Sequence, residues 1–195
     1  MLLWHLLLAL AGFQHSYVAS SAAMQPTIRY GESFYASLVR NAWTGAELVG
    51  SELKHGDIVV YRSAMDPGSL SLHRLIAIAG DEVRMEGGRL ILNGVMVERH
   101  ERDQATDTNS FGDVFDVTRY DEVLPGGAVH AIQEVADDGL LDNTQTFAVP
   151  QGTIFVMGDN RDLSADSRLK KVGMIPAESV VAFVRATPAR RDGQQ

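Results

Sequence analysis

Cysteine is missing from all 195 residues. Its absence excludes a disulfide scaffold, a thiolate metal site and a cysteine nucleophile. Clustered positive charge is missing as well. The formal net charge is −8, whereas non-specific nucleic-acid binding needs a basic surface. A full bilayer-spanning run is not visible: the N-terminal stretch Leu2 to Phe13, LLWHLLLALAGF, covers about twelve residues where a spanning helix needs about twenty. No Lys or Arg precedes Arg29, so the basic start of a secretory signal peptide is lacking. Three readings of that run stay open: a buried core helix, an interfacial anchor, or the end of a membrane span. There is no phosphate-cradling P-loop, no HExxH and no G-x-S-x-G elbow. A calcium loop counted from Asp162 puts Ser167 at the tight-turn glycine position and Gly173 at the bidentate glutamate position, which rejects it. No internal repeat or low-complexity tract occurs.

What is present is a chain with 45% apolar residues, too many for global disorder and long enough for one domain with insertions, or at most two. The acidity is concentrated. Between Glu98 and Asp142 stand twelve acids and three bases, a local net of −9. The stretch of about 98–142 therefore reads as an acidic insert, either a solvated one or a docking surface for basic partners.

Short β-branched segments dominate the rest. Asp57–Tyr61 after Gly56, Leu72–Ile78 before Gly80-Asp81, Thr153–Met157 and Val180–Val184 read as strands. Val83–Met85 and Arg89–Leu92 flank Gly87-Gly88, and Asn93-Gly94 precedes Val95–Val97; both are hairpin signals. Ser16–Ala23 reads as a loop or extended segment. Pro26 pushes its predecessor away from helix, so Met24-Gln25 reads as non-helical. Short strands with Gly and Pro turns predict a mainly β, coiled antiparallel architecture. The divisions are residues 1–15 as an apolar N-terminal segment forming a short helix, 16–186 as the β domain, and 187–195 as a loose tail.

Four ordered segments remain. They are Ser20-Ser21-Ala22-Ala23-Met24-Gln25-Pro26-Thr27, Gly56-Asp57-Ile58-Val59-Val60-Tyr61-Arg62, Leu72-His73-Arg74 through Gly80-Asp81, and Gly158-Asp159-Asn160-Arg161-Asp162-Leu163-Ser164-Ala165-Asp166-Ser167-Arg168. In order and spacing they resemble the box motifs of the type I signal peptidases, membrane-anchored serine proteases that remove signal peptides from exported proteins. The last segment is the most specific. The resemblance covers roughly Ser16 to Arg185 and implies a coiled antiparallel β-sheet catalytic domain of signal peptidase type. It also implies a membrane-associated protein whose catalytic domain lies on the outer side of the cytoplasmic membrane. Leu2–Phe13 then resembles the tail end of an anchoring span, a partial membrane anchor.

The resemblance implies a Ser–Lys dyad: a serine attacks the scissile carbonyl and a lysine kept neutral by burial takes its proton. Carried over by position, the nucleophile falls on Ala23 and the general base on His73. Alanine has no oxygen, so no acyl intermediate can form there. Histidine is a competent base near neutral pH, and a His-Arg pair resembles the endoplasmic-reticulum and archaeal branch of the family, which uses a Ser–His arrangement. A structural strand histidine is the alternative for His73. Ser21 falls on the oxyanion-hole serine position. As a substitute nucleophile it lies two extended residues away, about 6.6 Å of rise, and Ser20 faces the other way.

Ser164 matches the serine that contacts the base, Asp166 with Arg168 matches a structural ion pair, and Asp159, Asn160 and Arg161 resemble the bracing turn; Arg74 follows the base position. Turn chemistry alone is the plainer reading of each. Asp57 and Asp81 read as turn residues without chemistry. Met24 and Ile28 are expected as walls of the shallow pockets that select small side chains in the substrate. The resemblance thus implies a signal peptidase I-like endopeptidase with its nucleophile replaced, or a homologue that binds signal or export peptides without cleaving them. The expected partners are signal peptides of exported preproteins and the membrane lipid surface, with no nucleic acid. No cofactor and no metal is implied, since a Ser–Lys or Ser–His mechanism needs neither.

Overall fold

A computed structural model describes residues 14–39, 52–109 and 111–185. The expected N-terminal helix and the tail after residue 186 lie outside these. In chain order the strands are β1 (Gln14–Val18), β2 (Ser33–Leu38), β3 (Ile58–Arg62), β4 (Leu70–Ile78), β5 (Glu82–Glu86), β6 (Arg89–Leu92) and β7 (Val95–Met96). They continue with β8 (Glu98–Thr108), β9 (Val114–Val123), β10 (Val129–Glu134), β11 (Phe147–Ala148), β12 (Thr153–Met157), β13 (Ile175–Pro176) and β14 (Val180–Val184). Seven of them form one sheet in the order β1-β2-β14-β3-β4-β12-β13; β10-β9-β8 and β11-β5-β6-β7 form two smaller sheets. The strand pairings are antiparallel. The protein is mainly β, as the turn-punctuated sequence predicts. Among the described residues no helix is long and apolar enough to cross a membrane.

The centre of the large sheet is built from the apolar runs. β3, β4, β12 and β14 are buried along most of their length, because both faces of the sheet are covered. Ile76, Phe155 and Met157 pack with Val83, Met85 and Leu90 of the β5–β6 hairpin. Val59, Tyr61, Leu75 and Val156 pack with Val180 and Phe183. Strands covered on both faces lose the alternation of half-exposed strands and read as continuous apolar stretches. The two expected hairpin turns form where all four residues have positive φ: Gly87 and Gly88 at 53° and 70°, Asn93 and Gly94 at 53° and 78°. Those values suit the tight turns whose twist matches the flanking strands.

Two expectations differ from the structure. Residues 21–28 are a run of turns, the loop alternative and not the extended one on which the Ser21 spacing rested: Gln25 N donates to Ala22 O at 3.1 Å, and Ile28 N to Met24 O at 2.9 Å. The steric effect of Pro26 acts on Gln25 alone and leaves Met24 free to turn. The second difference is the acidic stretch. It carries two long strands, β8 and β9, and a third, β10, whose polar sequences hide them from a hydrophobic-period search. Cross-strand charge pairs accompany the ladder, Arg119 with Asp103 at 3.6 Å and Arg102 with Asp121 at 3.5 Å. Glu122, His130, Gln133 and Glu134 are buried, so one face of this sheet is not solvated; it packs onto the segment after β12.

Candidate active site

A cleft of about 370 Å³ opens between the 20–24 turn and the β3–β4 hairpin, with Ser21, Ala23, Met24, Leu72, His73 and Ala165 among its walls. The turn places residue 23. Its carbonyl accepts from Asn160 N at 3.0 Å, and its amide lies 3.4 Å from Ser21 Oγ. Ser21 is therefore folded back beside residue 23, and the spacing expected of an extended segment does not apply. Met24 fills the space beneath with Ala19, Ile28 and Ile58. Met24 also reaches the cleft wall, whereas Ile28 belongs to the core below it.

His73 arrives from β4, opposite Val59 of β3. Its Nδ1 lies 2.8 Å from the Tyr61 hydroxyl, and its Nε2 is buried with no hydrogen-bond partner among the described residues. Burial pushes the imidazole below its usual value, with Asp166 pulling it up and Arg168 pushing it further down. The ring is thus neutral at pH 7, the protonation state a general base needs.

The segment after β12 closes the site from behind. Gly158 N donates to Asp166 Oδ2 at 3.0 Å. Arg168 forks onto both oxygens of the same carboxylate at 2.9 Å and also donates to Arg161 O at 2.6 Å. Asp159 is buried; burial would raise its pKa, but the charge of Arg74 holds it below the usual carboxylate range. Arg74 donates through Nε and NH2 to the two Asp159 oxygens at 2.7 and 2.6 Å, and through NH1 to Gly56 O at 2.6 Å. Thr27 Oγ1 donates to Asp159 Oδ2 at 2.5 Å. Asn160 Oδ1 accepts from Leu163 N at 3.3 Å. Ser164 Oγ is buried without a hydrogen-bond partner among the described residues. A Cβ placed on Gly158 would come within 2.4 Å of Ser164 Oγ and 2.5 Å of Ala23 O, so residues 23, 158 and 164 are in close contact. Ala23, Ser21, His73 and Met24 share the cleft, while Arg74, Asp159, Arg161, Asp166 and Arg168 form the scaffold that supports it.

Several partners of that scaffold, Glu122, Gln133 and Asp107, lie outside every motif. Arg161, fully buried, pairs with Glu122 of β9 at 3.0 and 2.5 Å. Burial raises the Glu122 pKa, but Arg161 and His130 hold it far below the usual carboxylate range. The backbone N–H of Gln133 on β10 donates to Asp159 O at 2.9 Å and its backbone carbonyl accepts from Arg161 N at 3.0 Å, which extends β10 along the turn as a parallel bridge to Asn160. Gln25 Nε2 donates to Asp107 Oδ1 at 2.8 Å, tying the 20–28 turns to β8. These pairings join residues 39 and 82 positions apart, and no local pattern announces them. Tyr61 sat inside a quoted segment as an ordinary strand aromatic. Asp57 and Asp81 do hold turns, accepting from Lys54 N and Ile78 N at 2.9 Å.

Comparison with known proteins gives concordant matches. A family model described as signal peptidase, peptidase S26, matches residues 1–187. The signal peptidase I of Rickettsia akari (strain Hartford) is 32% identical over 137 residues, covering 67% of this chain and 50% of that protein. The signal peptidase I of Rickettsia canadensis (strain McKiel) is 33% identical over the same span, with the same coverage. The chain spans about half the length of these curated relatives. A crystal structure of a signal peptidase I from Enterococcus faecalis V583 is similar at a TM-score of 0.41 and 22% identity, covering 69% of this chain and 97% of that one.

Proposed function

The chain belongs to the signal peptidase family, peptidase S26, and on that footing we propose that its cleft holds the cleavage region of signal peptides from exported preproteins, with Ala23 at the position of the attacking serine. The observation that carries this reading is the placement of Ala23 and His73 on one cleft, with the base candidate buried and neutral. The chain as written has the base side of a peptidase and lacks the nucleophile. It retains peptide without forming an acyl-enzyme, because a methyl group supplies no oxygen for the bond.

Restoring serine at 23 would complete a two-step acyl transfer. The serine Oγ attacks the scissile carbonyl while His73 takes its proton, and the Ser21 hydroxyl donates to the carbonyl oxygen as charge gathers there. The proton then passes from His73 to the departing amine. Water, deprotonated by the same ring, hydrolyses the ester and returns the serine. The catalytic domain would work on the outer side of the cytoplasmic membrane, against the lipid surface. Val18 and Tyr35, 63% and 68% exposed on the neighbouring strands β1 and β2, support a surface that lies against lipid, as do exposed Met65 and Leu70 at the cleft.

The test is binding and cleavage of a peptide bearing an Ala-x-Ala site, by this chain and by Ala23→Ser. The expected result is binding by both and cleavage by the variant alone. Binding without cleavage by either leaves a peptide-capturing homologue whose His73 is not a base. Failure of both to bind removes the reading altogether.

A further inference from the structure

A histidine base has two ring nitrogens, and only one can face a reacting hydroxyl. β3 and β4 pair with Val59 opposite His73 and Tyr61 opposite Ser71, which puts Tyr61 on the diagonal from His73, within reach of a long side chain. The Tyr61 hydroxyl lies 2.8 Å from His73 Nδ1, with both side chains buried. Burial pushes the ionisation of Tyr61 well above its usual value, so the group is a neutral hydroxyl, able to accept one hydrogen bond and donate another.

The neutral imidazole carries one N–H. On Nε2 it would be a buried donor with no partner among the described residues, an arrangement folded proteins avoid. On Nδ1 it meets the Tyr61 oxygen at 2.8 Å, and Nε2 is left as the acceptor that the peptidase reading requires.

We infer that Tyr61 is the positioning residue of the His73 base: its oxygen accepts the Nδ1 proton, and Nε2 keeps the free lone pair for a hydroxyl at residue 23. The inference rests on the peptidase reading of the cleft. Tyr61 would occupy the place that an aspartate holds in a Ser–His–Asp triad, with a neutral group instead of a carboxylate. Charges acting on the ring come from the segment after β12, Asp166 and Asp159 favouring its cation and Arg168 opposing it; Arg74, the next residue on β4, is engaged by Asp159.

The test uses the full chain labelled with 15N at the histidine rings, with His73→Gln to assign the signal. Long-range proton–nitrogen correlation should show His73 with its proton on Nδ1, and Tyr61→Phe should move the population towards the Nε2–H form. The tautomer of the unaltered chain decides the matter if Tyr61→Phe does not fold. An Nε2–H tautomer in the unaltered chain, or no change in Tyr61→Phe, overturns the inference. In the Ala23→Ser background, Tyr61→Phe should lower kcat about tenfold or more with KM unchanged. The acid limb of the pH profile should move to lower pH, since the imidazolium loses an acceptor. If Ala23→Ser is inert while the tautomer results hold, the peptidase reading fails and only the Nδ1–Tyr61 hydrogen bond stands. If Ala23→Ser cuts and the Tyr61→Phe change leaves both kcat and the acid limb untouched, the role of Tyr61 fails alone.

Discussion

A methyl group added at Gly158 would land 2.4 Å from both Cβ and Oγ of Ser164 and 2.5 Å from the backbone oxygen of Ala23. None of these is the end of a flexible chain, so the substitution must displace backbone around the site. Gly158→Ala should therefore destabilise the fold by about 1–3 kcal/mol, read by chemical denaturation, and in an Ala23→Ser background should also abolish turnover. The glycine is visible in the motif, but its reason is not: the crowding comes from residue 23, far away in sequence. At residue 73 the sequence carries the opposite lesson. The histidine is legible, while its phenolic partner, 12 residues earlier on β3, is decided by strand register.

Among the elements, the β8–β10 sheet departs most from the sequence reading. Eleven residues of β8, ERHERDQATDT, contain too little apolar surface to reveal a strand, and the acidic composition suggests a solvated insert. Pairing with β9 supplies the backbone partners, and β9 and β10 then bury Glu122, His130 and Gln133 against the site. Glu122→Gln tests whether this sheet braces the turn after β12. It leaves the Arg161 guanidinium buried without its counter-charge, an imbalance that typically costs about 3–5 kcal/mol. Equilibrium unfolding should show a loss of that order. Glu86→Gln, on the exposed Arg84 pair, should change stability little. Equal small effects would make the buried pair dispensable. The hairpin turns show the other limit: Gly87-Gly88 and Asn93-Gly94 were readable at once, because positive φ at consecutive residues is a local demand with few residue types to meet it.

At the scale of the whole molecule the buried ionisable groups set the response to pH. Glu122, Asp159 and Asp166 have carboxyl groups held below their usual range. Each contributes stability that is full above the ordinary value of about 4 and is lost as protons enter at lower pH. His73 and His130 are pushed down by burial, so their contribution is full above the ordinary value near 6.5 and falls as pH drops beneath it. Glu134, pushed up to about 8 mainly by burial, acts the other way: its contribution is full below its ordinary range and is lost as pH rises towards 8. The opposing slopes overlap between about pH 4.5 and 6.5. Two histidines outweigh one glutamate, so stability should fall as pH drops through that window and fall more steeply below about pH 4, where the three carboxylates act together. Denaturant midpoints measured across pH would show this, and a midpoint unchanged down to pH 3 would contradict it.

Central strands, tight hairpins, the box segments and the missing oxygen at residue 23 could all be read from residue order. Each is written in neighbouring residues: β-branched runs, paired turn residues, contiguous motifs. The turn geometry of residues 21–28, the polar sheet, the Arg161–Glu122 pair and the Tyr61–His73 contact required the folded chain. Polar contacts of this kind leave no periodicity, and their partners are chosen by register and burial, which emerge only once distant segments have packed.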